Sequence, residues 1–224
     1  GASFANTQYT DFLLSAAAIQ VPFTIMTNSD IGNLIGSAAL STREAVNSNT
    51  NLGIILLLAP LAVVKREPEQ FRESVQKRLD QTTVGDAIIA FDAILAAHPG
   101  GLGESSEQDI RDIPSVTLLE AMKLAADRDM IARQYANGFA DVFDFGFPAF
   151  LDAFAKFHSI EAAIIASQLH WLAAYPDSLI ARKNGPAVAE DVRQRAAEVL
   201  NLGGIATAEG RRAGTLLDKY LRSD

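Results

Sequence analysis

Residues 52–64 read Leu-Gly-Ile-Ile-Leu-Leu-Leu-Ala-Pro-Leu-Ala-Val-Val and form the most hydrophobic stretch of the chain. Gly53 and Pro60 interrupt the run, and Lys65 follows it directly. A helix that spans a membrane needs ~20 consecutive apolar residues, which this stretch does not reach. It therefore predicts a helix buried in the core of a globular protein rather than a membrane span.

Apolar residues on both sides of this stretch recur every three or four positions, as in helices that bury one face. Phe12 and Ala16 show the spacing before it, and Ile88 and Phe91 show it after it. The period of two that indicates strands is not sustained. The sequence predicts an all-α protein, a single compact multi-helix domain over residues 1–224 around a buried central helix.

Capping and turn residues predict where several helices begin and end. Ser159 is expected to be the N-cap of a long helix that reaches about Tyr175, and Pro186 suits the first turn of the next long helix. Pro68 is expected to open a helix as well. Gly146-Phe147-Pro148 is expected to break the helical pattern.

The composition excludes several classes of protein. The 224 residues include 19 Lys and Arg against 27 Asp and Glu, which gives a net charge of −8. Nucleic-acid binding relies on basic residues that neutralise phosphates, so we expect neither a nucleic acid nor a membrane as a partner. The absence of cysteine excludes disulfides and thiolate chemistry and fits a cytoplasmic location. The oligomeric state does not follow from the sequence.

Common catalytic motifs are absent from the sequence. It contains no Gly-x-Ser-x-Gly, no His-Glu-x-x-His and no P-loop, so the familiar hydrolase, zinc-protease and P-loop classes do not apply. The three histidines are too scattered along the chain to indicate a metal site. Four clusters of polar residues remain as candidates for a functional site.

The first cluster, with Asn49, Thr50 and Asn51, lies directly before the hydrophobic stretch. Short amides at the mouth of the core can hold phosphate or ribose oxygens. N-capping of the helix is the simpler interpretation of any one of them. The three asparagines in residues 47–51 exceed what one cap needs, so both interpretations stay open.

The second cluster is Pro-Gly-Gly-Leu-Gly-Glu at residues 99–104, followed by Glu107 and Asp109. Gly100 and Gly101 would let backbone amides approach a ligand, and the carboxylates could hold a Mg²⁺ that bridges to a polyphosphate. The alternative is a helix stop followed by a solvated acidic loop, and the pattern alone favours that alternative.

The third cluster runs from Arg128 and Asp129 through Arg133 to Asp141 and Asp144. Asp141 and Asp144 are three positions apart on a predicted helix, so they can point the same way and share a cation. Asp129 and Arg133, four positions apart, are explained more simply as a surface ion pair worth a few tenths of a kcal/mol.

The fourth cluster extends from Asp177 to Gly185 and includes Arg182 and Lys183. Adjacent positive charges beside a chain break in an acidic protein suit phosphate binding. They equally complement the negative end of a helix dipole. The two interpretations are about equally supported.

In this order, the four clusters resemble the triphosphoribosyl-dephospho-CoA synthase family, with further similarity in residues 11–19 and a match through nearly the whole chain. The resemblance implies an all-helical enzyme that joins a ribose hydroxyl of 3′-dephospho-CoA to C1′ of the ATP ribose and expels adenine. The product would be the precursor of a prosthetic group. The ligands implied are ATP, as a small-molecule nucleotide substrate, and Mg²⁺.

This hypothesis gives each cluster a role. A carboxylate near C1′ would stabilise the positive charge that develops on the sugar, and Mg²⁺ would bind the triphosphate. The candidate catalytic carboxylates are Glu107, Asp141 and Asp144, and the candidate metal ligands are Asp109 and Asp129. The candidate nucleotide contacts are Asn49, Thr50, Asn51, Gly100, Gly101, Arg128, Arg133, Arg182 and Lys183.

One motif departs from the family pattern. Where the family has Asn-Thr-His-Lys-Gly, Asn51 and Leu52 replace the histidine and the lysine. This variant resembles a branch associated with tetrahydromethanopterin-type one-carbon cofactor pathways, which would imply another acceptor. A non-catalytic helical binding or assembly subunit is a further alternative, and so is a purely structural bundle. Convergence of the four clusters on one pocket would favour the enzyme.

Overall fold

The computed structural model describes residues 8–65, 67–97 and 113–222. Every regular element in these ranges is helical, which confirms the all-α prediction. No helix within the same ranges is long and apolar enough to cross a membrane. Packing divides the chain into two compact units, residues 1–138 and residues 139–224. The single domain over residues 1–224 stays a prediction.

The N-terminal unit contains the hydrophobic stretch, the first cluster and the beginning of the third cluster among its described residues. Its helices are α1 (Tyr9–Ala18), α2 (Gln20–Ile25), α3 (Ile31–Val46), α4 (Leu52–Ala62), α5 (Phe71–Asp80), α6 (Val84–Ala96), α7 (Leu118–Ala125) and α8 (Met130–Ala136).

The C-terminal unit begins with a π-helix (Val142–Gly146) that continues without a break into the next helix. The remaining helices are α9 (Phe147–Phe157), α10 (Ile160–Ala174), α11 (Ser178–Asn184), α12 (Pro186–Asn201), a short 3₁₀ helix (Gly204–Ala206) and α13 (Ala208–Leu221). Leu169, Val192 and Leu217 bring α10, α12 and α13 together in the core of this unit.

The hydrophobic stretch forms α4, and its burial is confined to one face. Ile55 and Ala59 are fully buried, whereas 53% of Ile54 and 42% of Leu58 is exposed. The helix packs against α3, α5 and α8. The predicted core helix is therefore present, but one side of it remains open.

A proline inside α4 explains how α8 is attached to it. Pro60 has no N–H to donate to the carbonyl four residues earlier, which belongs to Leu56. The hydroxyl of Tyr135 donates to that carbonyl instead, at 2.7 Å. Tyr135 is fully buried, and burial, together with the negative charge of Asp86, raises the pKa of its hydroxyl. The hydroxyl therefore keeps the hydrogen that it donates.

Two glycines let α3 and α6 pack closely. A Cβ atom on Gly32 would lie 2.5 Å from the Cα of Asp86, and one on Gly36 would lie 2.6 Å from Cγ2 of Ile89. The two contacts advance in the same direction along both helices, so α3 and α6 run parallel. Their C-terminal halves consequently end side by side.

Asp86 joins the first turns of these two helices. Its Oδ1 accepts a hydrogen bond from the Gly32 amide at 2.7 Å, and its Oδ2 accepts from the Thr83 amide at 2.8 Å and the Thr83 hydroxyl at 2.7 Å. Asp86 is only 5% exposed. A carboxylate at helix N-termini interacts favourably with their dipoles, and these donors offset the cost of burying the charge.

Two of the four predicted helix boundaries are confirmed, one is displaced by three residues, and one is wrong. Ser159 caps α10, because its hydroxyl accepts from the Ala162 amide at 3.3 Å, and Pro186 is the first residue of α12. A turn at residues 68–70 precedes α5, close to the helix start expected at Pro68. The break expected at residues 146–148 is wrong. Pro148 lies in the first turn of α9, where the fixed φ of proline is compatible with helical backbone.

Candidate functional site

A pocket of about 590 Å³ opens in the N-terminal unit between α3, α6 and the start of α4. Its volume lies within the range of about 300–1,000 Å³ that is typical of small-molecule sites. Its wall is formed by Gly36, Ala39, Leu40, Thr42, Arg43, Asn47, Ser48, Asn49, Asn51, Leu52, Ile55, Ile89, Asp92, Ala93, Ala96 and Ala97.

Three buried oxygen atoms at this pocket have no hydrogen-bond partner within the described part of the chain. They are Oγ1 of Thr42, Oγ of Ser48 and Oδ1 of Asn51. Thr42 is 4% exposed and Asn51 is 6% exposed. Buried polar atoms are nearly always paired, and an unpaired one costs about 1–3 kcal/mol. Three such atoms around one pocket make it the candidate binding site, where a ligand or ordered water can supply the missing partners.

Hydrogen bonds to α1 hold the first cluster in place. The amide nitrogen of Asn51 donates to the backbone carbonyl of Ser15 at 3.3 Å, and the hydroxyls of Ser15 and Thr50 share a hydrogen bond. A carbonyl can only accept, so the side-chain NH₂ of Asn51 must face Ser15. This contact fixes Oδ1 of Asn51 as the atom left without a partner. Thr50 is not among the residues that line the pocket.

The structure supports the capping interpretation for one residue of the asparagine cluster. Oδ1 of Asn49 accepts from the Leu52 amide at 3.3 Å, so Asn49 satisfies the first turn of α4 as a capping residue does. Asn51 occupies the N-cap position without a capping bond from its side chain. The helix start needs only one of the two amides, and the other remains available to a ligand.

Two charged residues at the pocket were not predicted from the sequence. Arg43 on α3 and Asp92 on α6 are both exposed and both line the pocket. Thr42 and Ser48 were also missed. The signal for Thr42 lay in α3, where the buried positions are otherwise apolar or glycine, so a hydroxyl in that stripe stands out.

The remaining predicted residues of the N-terminal unit that the structure describes lie between α7 and α8 or within α8. Oδ1 of Asp129 accepts from the amides of Ile131 and Ala132 at 2.8 and 3.0 Å, so this carboxylate is the N-cap of α8. Arg128 donates to the Leu124 carbonyl at 3.1 Å. Arg133 is half-buried in the last turn of α8.

Four predicted residues lie outside the described residues. They are Gly100, Gly101, Glu107 and Asp109. Ala97, which lines the pocket, is the last described residue before them. Their roles stay predictions.

In the C-terminal unit, the two aspartates of the third cluster lie at the start of the π-helix and within it. Asp141 is half-buried and accepts from the Tyr175 hydroxyl at 3.3 Å, whereas Asp144 is exposed. Phe145, the residue after Asp144, packs edge-on against Tyr175, with ring centroids 5.7 Å apart. A π-helix turns less per residue than an α-helix, so the spacing of three no longer implies a shared direction.

The fourth cluster forms the short helix α11. Oδ1 of Asp177 accepts from the Leu179 and Ile180 amides at 2.8 and 2.9 Å, so this carboxylate is an N-cap. Arg182 and Lys183 lie exposed in the last turn, where positive charge complements the helix dipole.

Of the predicted residues, the structure therefore brings Asn49 and Asn51 together at one pocket. Arg128, Asp129 and Arg133, in the same unit, are not among the residues that line this pocket. Within residues 8–65, 67–97 and 113–222, no group of three acidic or histidine side chains could hold a metal ion.

The helical fold and this pocket define a class, that of all-helical proteins with a site suited to a polar small molecule. The chain belongs to the CitG family, described as ATP:dephospho-CoA triphosphoribosyl transferase, whose sequence model matches residues 1–224. It is accordingly a transferase of the triphosphoribosyl-dephospho-CoA synthase type, with ATP as the substrate that the family implies.

A solved structure supports the fold. The chain is similar to a crystal structure from Archaeoglobus fulgidus, provisionally described as a triphosphoribosyl-dephospho-CoA synthase, with a TM-score of 0.72 and 24% identity. The similarity covers 93% of this chain and 87% of that one. A comparison with curated proteins finds no match.

Proposed function

We propose that this protein transfers the triphosphoribosyl group of ATP to a ribose hydroxyl of 3′-dephospho-CoA or a closely similar acceptor. The acceptor oxygen forms a bond to C1′ of the ATP ribose while the bond from C1′ to adenine breaks. The hydroxyl loses its proton, and the departing adenine gains one. The triphosphate stays on the transferred sugar, so the reaction releases adenine and no phosphate.

The pocket in the N-terminal unit carries this proposal. It is built at the Asn-Thr-Asn-Leu-Gly motif, and its wall holds three buried oxygen atoms without partners within the described ranges. Such atoms suit the hydroxyl and amino groups of a nucleotide. Arg43 at the same pocket supplies a positive charge for a phosphate.

The chemistry also calls for a carboxylate near C1′, where positive charge develops as adenine leaves. Asp92 is the carboxylate that lines the described pocket, and we propose it for this role. Glu107, Asp141 and Asp144 remain the alternatives suggested by the sequence.

The donor atoms of the pocket suit a Mg²⁺ that arrives with the nucleotide. This ion is usually held by one or two carboxylates together with water and substrate phosphates, so a cluster of three acidic residues is not required. The neutral oxygen of Asn47 would complete such a site, together with Asp92 as the alternative to its role near C1′. Bound there, Mg²⁺ would neutralise the triphosphate. Asp129 is less suited, because its Oδ1 already caps α8.

The transfer is tested by incubating the protein with ATP, Mg²⁺ and 3′-dephospho-CoA and measuring free adenine by mass spectrometry. We expect adenine and a product heavier than the acceptor by the triphosphoribosyl group. Arg43→Gln should weaken ATP binding, whereas Lys123→Gln, which removes a positive charge from the exposed side of α7, should not. No adenine with dephospho-CoA or any other ribose-bearing acceptor would contradict the proposal.

A second candidate function is binding without transfer. It is favoured by Leu52, which is only 8% exposed and replaces the lysine of the family motif, so this position offers no charge to a phosphate. A protein of this kind would form a stable complex with other proteins of its pathway and would release no adenine. An acceptor from a tetrahydromethanopterin-type one-carbon pathway is the intermediate case, and adenine release that depends on such an acceptor would identify it.

A further inference from the structure

The orientation of Asn51 restricts what the pocket can bind. One hydrogen of its NH₂ group is bound to the Ser15 carbonyl, and Oδ1 is the side-chain atom left without any partner among the described residues. Oδ1 accepts hydrogen bonds and cannot donate them. A ligand group that pairs with Oδ1 must therefore carry a hydrogen or a positive charge, and an ionised phosphate has neither.

The other two unpaired atoms are neutral hydroxyl oxygens. Thr42 Oγ1 and Ser48 Oγ can each donate or accept, and neither carries charge. The charged residues of the described wall, Arg43 and Asp92, are exposed instead of buried. The buried part of the pocket therefore suits an uncharged group, and its exposed edge suits a charged one.

We infer that Thr42, Ser48 and Asn51 recognise the nucleoside part of the substrate and that its phosphates lie toward Arg43. Asn51 accepts a hydrogen bond from a ribose hydroxyl or from the adenine amino group. This inference rests on the proposed function, because it assumes that the pocket takes a nucleotide. It makes Thr42 a determinant of specificity, although this residue lies outside the family-like motif.

Thr42→Val and Ser48→Ala test the inference with little risk to folding. Each removes a buried hydroxyl that has no partner among the described residues, so the unliganded protein should be as stable as the wild type or more stable. Each should weaken adenosine binding by about tenfold, as the loss of one hydrogen bond at a buried site does. Isothermal titration calorimetry measures the affinity, and thermal unfolding measures the stability.

Thr82→Val is the matched control. Thr82 is also buried, but its hydroxyl donates to the Leu79 carbonyl at 2.8 Å and accepts from the Leu119 amide at 3.1 Å. This variant should lower Tm and leave the affinity for adenosine unchanged. The same substitution, threonine to valine, at the two positions thus distinguishes a hydroxyl that binds a ligand from one that stabilises the fold.

Two simpler ligands locate the phosphates. Adenosine should bind the wild type and lose affinity in Thr42→Val, whereas inorganic tripolyphosphate should bind equally to both proteins. If adenosine does not bind, if its affinity is unchanged in both variants, or if tripolyphosphate loses affinity instead, the inference is wrong.

ATP analogues identify the group that donates to Asn51. Loss of affinity with 2′-deoxy-ATP or 3′-deoxy-ATP assigns a ribose hydroxyl, and loss with inosine triphosphate assigns the adenine amino group. Equal affinity for all three and for ATP contradicts the inference. Adenine release without these effects would leave the transfer reaction standing and remove only the inference. The reverse result would retain the nucleoside site and remove the reaction.

Discussion

Gly32 occupies a position in α3 where a single methyl group has no room. A Cβ atom there would lie 2.5 Å from the Cα and 2.8 Å from the carbonyl oxygen of Asp86, and backbone atoms cannot rotate away. We expect Gly32→Ala to lower the free energy of unfolding by about 1–3 kcal/mol or more, as overpacking does. Urea denaturation measures the change.

Gly85→Ala is the control for this substitution. Gly85 lies exposed in the first turn of α6, and its nearest neighbour to an added Cβ is Thr83 Oγ1 at 3.4 Å. Alanine is the better helix former, so this variant should be neutral or stabilised by about 0.5–1 kcal/mol. Equal stability of the two variants would show that α3 and α6 are not in close contact.

Some residues of the pocket could be predicted from the sequence and others could not. Asn49 and Asn51 could be predicted, because three asparagines before a hydrophobic helix exceed the needs of one cap. Arg43 and Asp92 could not, because surface charges occur throughout the chain and only the packing of α3 on α6 brings these two to one pocket. Spacing along a helix carries no information about which helix lies beside it.

At the scale of helices, the contact between α4 and α8 depends on Pro60. We expect Tyr135→Phe to cost about 1–3 kcal/mol, because it leaves the buried Leu56 carbonyl without its donor. Pro60→Ala restores a backbone N–H that can donate to the same carbonyl. In that background Tyr135→Phe should cost less, by about 1 kcal/mol, in a double-mutant cycle. An equal cost in both backgrounds would mean that the hydroxyl does not replace the proline's missing N–H.

The π-helix at Val142–Gly146 marks the limit of the helix predictions. Glycine and proline at residues 146–148 indicate a break when they are considered locally. Gly146 instead lies against Trp171, where a Cβ would come within 2.5 Å of the indole ring, so its lack of a side chain permits close packing on α10. The local sequence explains Gly146 as a helix breaker, whereas the structure explains it as a site of close packing. The contact that distinguishes the two explanations is made by Trp171, which lies 25 positions away in the sequence.

For the whole molecule, nucleotide binding should be visible in amide hydrogen exchange. Helices that contact a bound ligand open less often, so ATP with Mg²⁺ should slow exchange in the C-terminal half of α3 and the first turns of α4. The amides of α12, none of which line the pocket, provide the internal control. Protection confined to the C-terminal unit would place the nucleotide elsewhere.

Across the whole chain, features set by local sequence could be predicted, whereas features set by tertiary packing could not. The all-α fold follows from apolar spacing, and the family-like order of motifs is visible in the sequence and agrees with the family match over residues 1–224. The convergence of distant clusters is a property of tertiary packing. Asn51, for example, is held by Ser15 across 36 positions of sequence, and no local pattern predicts that bond.

The junction of α3 and α6 at Asp86 has a consequence for how such a protein can change its substrate. Helices locked together by two glycines and one shared carboxylate behave as a single rigid body, because sliding either one would break bonds at both. Evolution of a new substrate preference would then leave α3 and α6 in place and act on the opposite wall of the pocket, where α4 begins. That wall carries Asn51 and Leu52 of the Asn-Thr-Asn-Leu-Gly motif.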